Sequence, residues 1–335
     1  MMDMYQTKYH HVELADHSFL VTGGAGFIGS NLVEYLLKYG AGRVRVLDNF
    51  STGSLANIEQ FLKHPSFELL EGDIRNPDDC RKAVAEIDYV SHQAALGSVP
   101  RSINDPLTTN DVNITGFLNM LVAARDAGVK SFVYAASSST YGDHSALPKV
   151  EDHIGSPLSP YAVTKYVNEL YASVFSRTYG FHSIGLRYFN VFGPRQNPKG
   201  PYAAVIPLFI EAALNGKVPF INGDGETSRD FTFIENAVQA NIKAMLIPKL
   251  SNSGVVNIAF GESTTLNKLW ETIARLTDSD IKPEYRDERR GDIKHSLADI
   301  SRAKALMDYE PQVSVLEGLS IALNWYKEYR IISGH

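Results

Sequence analysis

The chain has 335 residues, 44% of them hydrophobic and 21% charged, with a formal net charge of −6. That length and composition support a sizeable core in one large domain or two smaller ones, and exclude a disordered chain, a fibrous repeat and a coiled coil. The weakly acidic balance lacks the basic stripe of a nucleic-acid binder, and one cysteine, Cys80, can make neither an internal disulfide nor a multi-thiolate metal site, which fits a cytoplasmic, reducing compartment.

Residues 1–17 mix Asp3, Lys8, Glu13 and Asp16 with aromatic and histidine side chains, an N-terminal extension rather than a signal-peptide core. No stretch reaches the roughly 18 to 20 apolar residues of a membrane span. From Ser18 to about Arg187 short β-rich runs alternate with helical ones. Strands are predicted at Ser18–Thr22, Arg43–Leu47, Phe67–Glu71, Tyr89–Gln93, Ser131–Ala136 and His182–Arg187. Helices are predicted at Phe27–Tyr39, Pro77–Ala85, Pro106–Ala127 and Pro160–Thr178, with Phe117, Met120 and Leu121 as a buried stripe. Such alternation predicts an α/β fold, a doubly wound parallel sheet covered on both faces. Beyond Arg187, frequent Gly and Pro break the chain into shorter pieces. Helical patterns at Val205–Leu214, Glu235–Leu246, Leu266–Leu276 and Leu316–Tyr329 predict a smaller mixed α/β C-terminal lobe. The division reads as 1–187 for the sheet domain and 188–335 mainly for the lobe, with the chain free to cross between them.

Gly23, Gly26 and Gly29 in Thr22-Gly23-Gly24-Ala25-Gly26-Phe27-Ile28-Gly29 follow the first strand and open the first helix. In a dinucleotide site the first glycine permits the tight turn, the second lets the backbone approach the pyrophosphate, and the third lets helix pack near strand. The helix N-terminus presents unpaired N–H groups to the anion. Asp48, ending the second strand, is placed to accept hydrogen bonds from the adenosine ribose. Its charge repels a 2′-phosphate, and no Arg or Lys stands in Asn49-Phe50-Ser51-Thr52-Gly53, so NAD is expected over NADP. Asp73 in Gly72-Asp73-Ile74 reads either as a contact to the adenine amino group or as a helix cap.

Tyr161-Ala162-Val163-Thr164-Lys165 is the one Tyr-x-x-x-Lys of the chain. Its spacing puts both side chains on one helical face just after Ser159-Pro160. Buried beside an oxidised nicotinamide, the Lys ammonium stabilises tyrosinate and draws the phenol from about 10 towards neutrality. Ser137-Ser138-Ser139 ends the strand Ser131–Ala136 and offers hydroxyls to a sugar.

Together these motifs resemble the extended short-chain dehydrogenase/reductase family, which implies a Rossmann-type sheet and NAD. By that resemblance Tyr161 is the general base, and Lys165 tunes it and binds the nicotinamide ribose. Ser137, Ser138 and Ser139 are the candidates to hold the reacting hydroxyl, Ser138 first. Phe27 and Ile28 join the cofactor set with Asn49, Ser51, Thr52, Gly53 and Ile74. Gln93, Ala94, Ala95 and Tyr188 line the cofactor, and Asn113 supports the backbone of the site. Segment Arg187–Pro194 resembles the one whose Asn, here Asn190, meets a nucleotide diphosphate. Ser228-Arg229-Asp230-Phe231 and Arg289-Arg290-Gly291-Asp292 resemble the two basic diphosphate contacts, giving Arg229, Arg289 and Asp292. Ala204 and Val205 fall on the nucleotide side; Gly97, Ser98, Ser138, Ser139 and Ser296 fall on the sugar side.

The longest resemblance, over nearly the whole chain, is to bacterial UDP-N-acetylhexosamine 4-epimerases of polysaccharide pathways. It is carried by Gln93–Ser102, Ala135–His144, Ser159–Glu169 and Gly223–Phe231. The family's dehydratases place an Asp-Glu pair where Ser138 and Ser139 stand, and its decarboxylases need an Arg and an acid that have no counterpart in this reading. Galactose-pathway epimerases that reject N-acetyl groups place a bulky Tyr where Ser296 stands, and a Lys near Gly97. The resemblance therefore implies reversible 4-epimerisation of UDP-N-acetylglucosamine and UDP-N-acetylgalactosamine through a 4-keto sugar, with weaker activity on UDP-glucose and UDP-galactose. A UDP-sugar decarboxylase and a non-catalytic NAD-sensing module are the rival readings. His92, His144 and His295 are too scattered for a metal, and the reaction needs none. The helical segments 106–127 and 160–178 are the pair the family uses to form a homodimer.

Overall fold

The structure is a computed structural model that describes residues 4–198, 203–248, 253–288 and 294–333. The first half runs β1 (Ser18–Thr22), α1 (Phe27–Lys38), β2 (Arg43–Asp48), β3 (Phe67–Glu71), α2 (Pro77–Val84) and β4 (Tyr89–His92). It continues with α3 (Val99–Asn104), α4 (Pro106–Asn110), α5 (Phe117–Asp126), β5 (Ser131–Ser137), α6 (Pro160–Tyr179) and β6 (Ser183–Tyr188). The second half holds β7 (Val191–Phe192), α7 (Val205–Leu214), β8 (Phe220–Asn222), β9 (Ser228–Arg229), β10 (Thr232–Phe233) and α8 (Ile234–Met245). After these come β11 (Gly254–Ile258), β12 (Thr264–Thr265), α9 (Leu266–Leu276), β13 (Glu284–Arg286), α10 (Ser301–Met307) and α11 (Val315–Ser333).

Seven strands form one sheet in the order β11-β6-β5-β4-β1-β2-β3, and every pairing is parallel. Strand order reverses between β1 and β4, which opens a crevice at their carboxyl ends, where a doubly wound fold binds its ligand. The inner strands are apolar because helices cover both faces. One face packs Phe19, Val21, Val44 and Val46 against α1 and α8. The other packs Leu20, Val90, Phe132 and Tyr134 against α2 and α5, where Phe117, Met120 and Leu121 are fully buried.

Three features go beyond the sequence expectation, the first within its allowance that the chain crosses back to the sheet. Strand β11 lies far beyond residue 188 and yet completes the sheet beside β6, and α8 packs on the sheet with α1, so the chain returns from the lobe. The single helix expected over 106–127 contains a π-helical stretch, Asp111–Gly116, whose wider turn swings Asn113 inwards. Gly116 ends it because a Cβ there would stand 2.6 Å from Ile74 Cδ1. Helix α3 has no counterpart in the periodicity. By contrast α6 follows its local signals: Ser159 caps it by accepting the Ala162 N–H, Pro160 occupies the first turn, and Gly180 ends it at φ +64.

The turn between β1 and α1 is possible for glycine alone. Gly23 sits at φ +66, and a Cβ there would stand 2.8 Å from the Ala94 backbone. A Cβ on Gly29 would stand 2.2 Å from the Gly23 carbonyl oxygen. Since that neighbour is backbone, Gly29→Ala is expected to cost about 1 to 3 kcal/mol in urea unfolding. An unfolding midpoint equal to wild type would show that the turn relaxes around the methyl group.

Candidate active site

The crevice at the carboxyl ends of β1 and β4 is a cleft of about 560 Å³. Gly26 caps α1 without any side-chain hydrogen bond, so the first N–H groups of the helix are presented to the cleft, lined here by Gly23, Gly26, Phe27, Ile28 and Gly29. Opposite them, Asp48 Oδ2 accepts the Ala25 N–H at 2.9 Å and Oδ1 accepts the Phe50 N–H at 2.8 Å. Burial pushes this carboxyl above the usual carboxylate range, and the backbone donors oppose it. Asn49, Ser51 and Thr52 line the cleft, with the Ser51 N–H donated to Asn49 Oδ1. Gly53 stands one layer back, packed on Ala25.

Asp73 and Ile74 complete the far end of the cleft. The cap of α2 is Asn76, which accepts the Asp78 N–H, so Asp73 is free of that alternative. Its carboxylate instead accepts Asn49 Nδ2 at 2.8 Å and the fork of Arg75, which holds it down to about 2. A three-glycine turn, an open helix end and Asp48 on the next strand fit the pyrophosphate and ribose of a dinucleotide.

At the other end, Tyr161 and Lys165 project from α6 into the same cleft. Lys165 Nζ donates to the Ala135 carbonyl at 2.7 Å and lies 6.0 Å from the centre of the Tyr161 ring. Burial lowers this amine to about 8, opposed by Glu169 one turn along. Burial also pushes the Tyr161 phenol up, opposed by a hydrogen bond to Ser137. In the protein itself the phenol is therefore raised, and its descent towards neutrality depends on further positive charge.

Of the three serines, it is the Ser137 hydroxyl that acts on the Tyr161 phenol. Ser137 is the last residue of β5, and its Oγ also accepts the Ser139 N–H at 3.1 Å and the Ser139 hydroxyl at 2.9 Å. Ser138 begins the 3₁₀ turn that follows, and it borders both the cofactor cleft and the next cavity; Ser139 borders the latter.

Gln93, Ala94 and Ala95 form the β4 side of the cleft, and Gly97 its rim, with open space where a side chain would stand. Asn113 acts on the backbone as expected: its Oδ1 accepts the Leu96 N–H at 2.8 Å, and its Nδ2 reaches Leu96 O and Thr164 Oγ1. A residue absent from the sequence reading, Asn241 of α8, governs the wall at Tyr188. Its Oδ1 accepts Ser91 Oγ and Gln93 Nε2, both at 3.0 Å, and its Nδ2 donates to the Tyr188 hydroxyl at 2.7 Å. The one sequence signal was polarity on a face of α8 that is otherwise apolar, shared with Asn236 and Gln239.

Two further cavities meet the cleft at Asn190, which borders all three. Asn190 has φ +36, and its Nδ2 donates to the Asp230 carbonyl at 3.0 Å. Asp230 is itself fully buried, accepts N–H groups from Phe260, Gly261 and Ala298, and is pushed by burial up to about 7. The larger cavity, about 610 Å³, includes Ala204, Val205, Phe209, Phe220, Asn222 and Arg229 in its walls. The smaller, about 430 Å³, is walled by Ser137, Ser138, Ser139, Tyr141, Arg229 and Ser296. Lys149, which sequence did not flag, also borders it: an almost fully buried amine bonded to the His144 carbonyl. Ser296 is fixed by its N–H to the Ser228 carbonyl at 3.1 Å. Ser98 stands apart from these walls and caps α3 by accepting the Arg101 N–H. Arg289 and Asp292 lie outside the described residues. Among the described residues no group of His, Cys, Asp and Glu could hold a metal, and no helix is long and apolar enough to cross a membrane.

Residues 19–259 match the NAD dependent epimerase/dehydratase family. The putative UDP-glucose 4-epimerase of Methanocaldococcus jannaschii is 37% identical over 92% of this chain and 98% of its own. The UDP-glucuronate 4-epimerase of Thermodesulfobacterium geofontis is 36% identical over 92% and 96%. Among solved structures, UDP-N-acetylglucosamine 4-epimerase from Methanobrevibacter ruminantium M1, in complex with UDP-N-acetylmuramic acid, superposes with a TM-score of 0.89 at 41% identity, covering 94% of this chain and 99% of that one. The UDP-glucose 4-epimerase of Thermus thermophilus, in complex with NAD, superposes with a TM-score of 0.82 at 33% identity, covering 92% and 99%. With a dinucleotide turn, a Tyr–Lys pair at the cofactor cleft and these relatives along its length, the chain belongs to the NAD-dependent epimerase/dehydratase family, among its UDP-sugar 4-epimerases, and its cofactor is NAD.

Proposed function

We propose that the protein interconverts UDP-N-acetylglucosamine and UDP-N-acetylgalactosamine by epimerisation at carbon 4, with weaker activity on UDP-glucose and UDP-galactose. The observation that carries this reading is that Tyr161, Lys165 and Ser137 line the cofactor cleft where it opens, through Ser137 and Ser138, into a cavity bordered by a small residue, Ser296. NAD, when bound, supplies a hydride acceptor and then a donor, so no net redox change accompanies turnover. Tyr161 takes the proton of the C4 hydroxyl and later returns it. Ser137, whose hydroxyl acts on the phenol and borders both the cleft and the cavity, holds the reacting oxygen and relays that proton. Lys165 keeps a substantial protonated fraction at pH 7 despite its burial, and its positive charge favours phenolate across a dry gap. Gly23, Gly26 and Gly29 seat the pyrophosphate, Asp48 takes the adenosine ribose, and Asn190 and Arg229 take the UDP phosphates, with Ala204 and Val205 beside the nucleoside. The 4-keto sugar then turns about its phosphate linkage and presents its other face.

Ser296 takes the place of a bulky phenol and leaves room for an acetamido group. Lys149, a buried cation on the same cavity, favours adding uronic sugar nucleotides to any substrate panel. A homodimer is part of this proposal. Helix α6 buries Ala162, Lys165, Glu169 and Ala172 and leaves Val163, Leu170 and Val174 exposed along one stripe. Leu107 of the adjacent α4 is 82% exposed. Apolar stripes on paired helices suit a second copy.

Incubated with UDP-N-acetylglucosamine, the enzyme is expected to yield its 4-epimer by proton NMR with no stoichiometric consumption of NAD. Absence of epimer from every UDP-sugar would leave a cofactor-binding protein without catalysis, and carbon dioxide from UDP-glucuronate would point to a decarboxylase. Tyr161→Phe should lower turnover at least about 10²-fold while NAD stays bound; turnover at the wild-type rate removes Tyr161 from the mechanism. Ser296→Tyr should lower kcat/KM on acetamido sugars roughly tenfold or more and spare UDP-glucose, and an unaltered ratio between the two substrates ends the steric argument. Light scattering should give twice the 37.1 kDa chain mass, reduced towards one copy by Leu170→Glu. A wild-type monomer at micromolar concentration rules out the helix-pair interface.

A further inference from the structure

The N-terminal extension is tied into the structure more closely than a loose tail needs to be. Tyr5 is fully buried, edge-on to Tyr35 of α1, and it adopts φ +61, a conformation costly for a bulky aromatic residue. Its hydroxyl donates to Asn31 Oδ1 at 2.7 Å. The other end of that amide, Asn31 Nδ2, donates to two carbonyls: Phe27 O at 2.9 Å, in the first turn of α1, and Pro194 O at 3.1 Å. Phe27 lines the cofactor cleft, and Pro194 ends the segment Asn190–Pro194 that borders both the cleft and the larger cavity. One buried amide therefore spans the cofactor helix and the nucleotide segment; the two carbonyls set which way round it sits, and Tyr5 supplies the donor that its oxygen needs.

Neighbouring contacts reinforce the same tie. One turn along α1, Glu34 pairs with Arg195. Tyr9 stacks on Tyr35 and donates its hydroxyl to Glu235 at 2.8 Å, in the first turn of α8. Glu235 follows β10, which pairs with β7 immediately after Asn190. We infer that residues 4–17 act as a clamp that holds helix α1 and segment Asn190–Pro194 at a fixed separation through the oriented Asn31 amide, with Tyr5 as its positioning residue. Phenylalanine at position 5 fills the same volume and leaves Asn31 Oδ1 without that donor, so the amide spans the two segments with a buried acceptor unsatisfied. The clamp thus acts on the binding of two ligands at once, which simple filling of the core does not.

The inference rests on the reading that the cavity beside Asn190 takes UDP, and the experiment separates the two. Full-length Tyr5→Phe is compared with wild type for the Kd of UDP by calorimetry, for NAD retained after dialysis, and for Tm. Arg45→Met serves as the control, because it removes bonds to the Lys82, Ala83 and Ala85 carbonyls at the end of α2, away from the clamp and from the walls of the cleft and cavities. Expected are UDP binding weaker by about 3- to 10-fold and faster NAD loss in Tyr5→Phe, with Arg45→Met lowering Tm alone. Tyr5→Phe with UDP affinity and NAD retention within twofold of wild type overturns the clamp, as does an equal loss in both variants. If wild type fails to bind UDP, the reading of the cavity falls, and NAD retention still decides the clamp.

Discussion

The site depends on how the first half of α6 is seated against the end of β5. One hydrogen bond does this directly, Lys165 Nζ to Ala135 O, and Tyr161 lines the same cleft as Ser137 at the end of that strand. Behind them Arg187 of β6 grips Glu169 of α6 through two bonds of 2.8 and 2.7 Å, and both side chains are buried. Removing one partner of such a pair typically costs about 3 to 5 kcal/mol, because the other charge is left buried and uncompensated. Arg187 also donates to Glu151 O and stacks over Tyr141, whose hydroxyl reaches Asn257 of β11 at 2.6 Å. The last strand of the sheet is thereby connected, through saturated polar contacts, to the residue that carries the proton. A helix held at this many points cannot slide, and proton transfer needs that rigidity far more than the fold does.

What could be read from sequence was what is local. Gly23, Gly26 and Gly29 announce a strand–turn–helix by their spacing after a strand and before a helix; the clashes that Gly26 and Gly29 avoid are local, while the one that Gly23 avoids is with the distant Ala94 backbone. Tyr161 and Lys165 announce a shared face because helical spacing fixes it, and Ser159-Pro160 fixes where that helix starts. The three hydroxyls Ser137, Ser138 and Ser139 differ in sequence only by where β5 stops and the 3₁₀ turn begins, a boundary that pairing with β6 through Ser137 sets. Asn241 was invisible for the same reason: its partners Ser91, Gln93 and Tyr188 lie on two other strands. Strand β11 could not be assigned either, since a five-residue apolar run carries no information about which sheet it joins. The Ser98 hydroxyl accepts the Arg101 N–H at the start of α3, a cap that depends on where that short helix begins.

Asn190 shows how the two lobes become one site. A non-glycine residue at positive φ persists when its surroundings over-determine it. Here the Asn190 amide is held by the Asp230 carbonyl, and the Asp230 carboxylate gathers N–H groups from 260–261 and from Ala298. Three separate segments of the lobe therefore converge on the one residue that borders the cofactor cleft and both adjoining cavities. A shift in any of them is felt where the nucleotide and the sugar meet.

Burial acts on Tyr161 and Lys165 in a single sense, favouring the neutral form of each: the phenol is pushed up and the amine down to about 8. Neither group is thereby tuned for base catalysis by its own surroundings. The charged pair, phenolate with ammonium, loses hydration on both sides and regains it only through mutual attraction across the 6.0 Å between Nζ and the ring centre. That attraction grows as water is excluded, and a further positive charge in the cleft favours phenolate in the same way. An oxidised nicotinamide carries such a charge and a reduced one does not. The phenol would therefore ionise most readily with a hydride acceptor in the cleft and hold its proton more firmly once hydride has been taken up; as hydride is given back the positive charge would return and favour release of that proton. One pair of residues can thus serve both halves of an epimerisation, removing the hydroxyl proton in the first and returning it in the second.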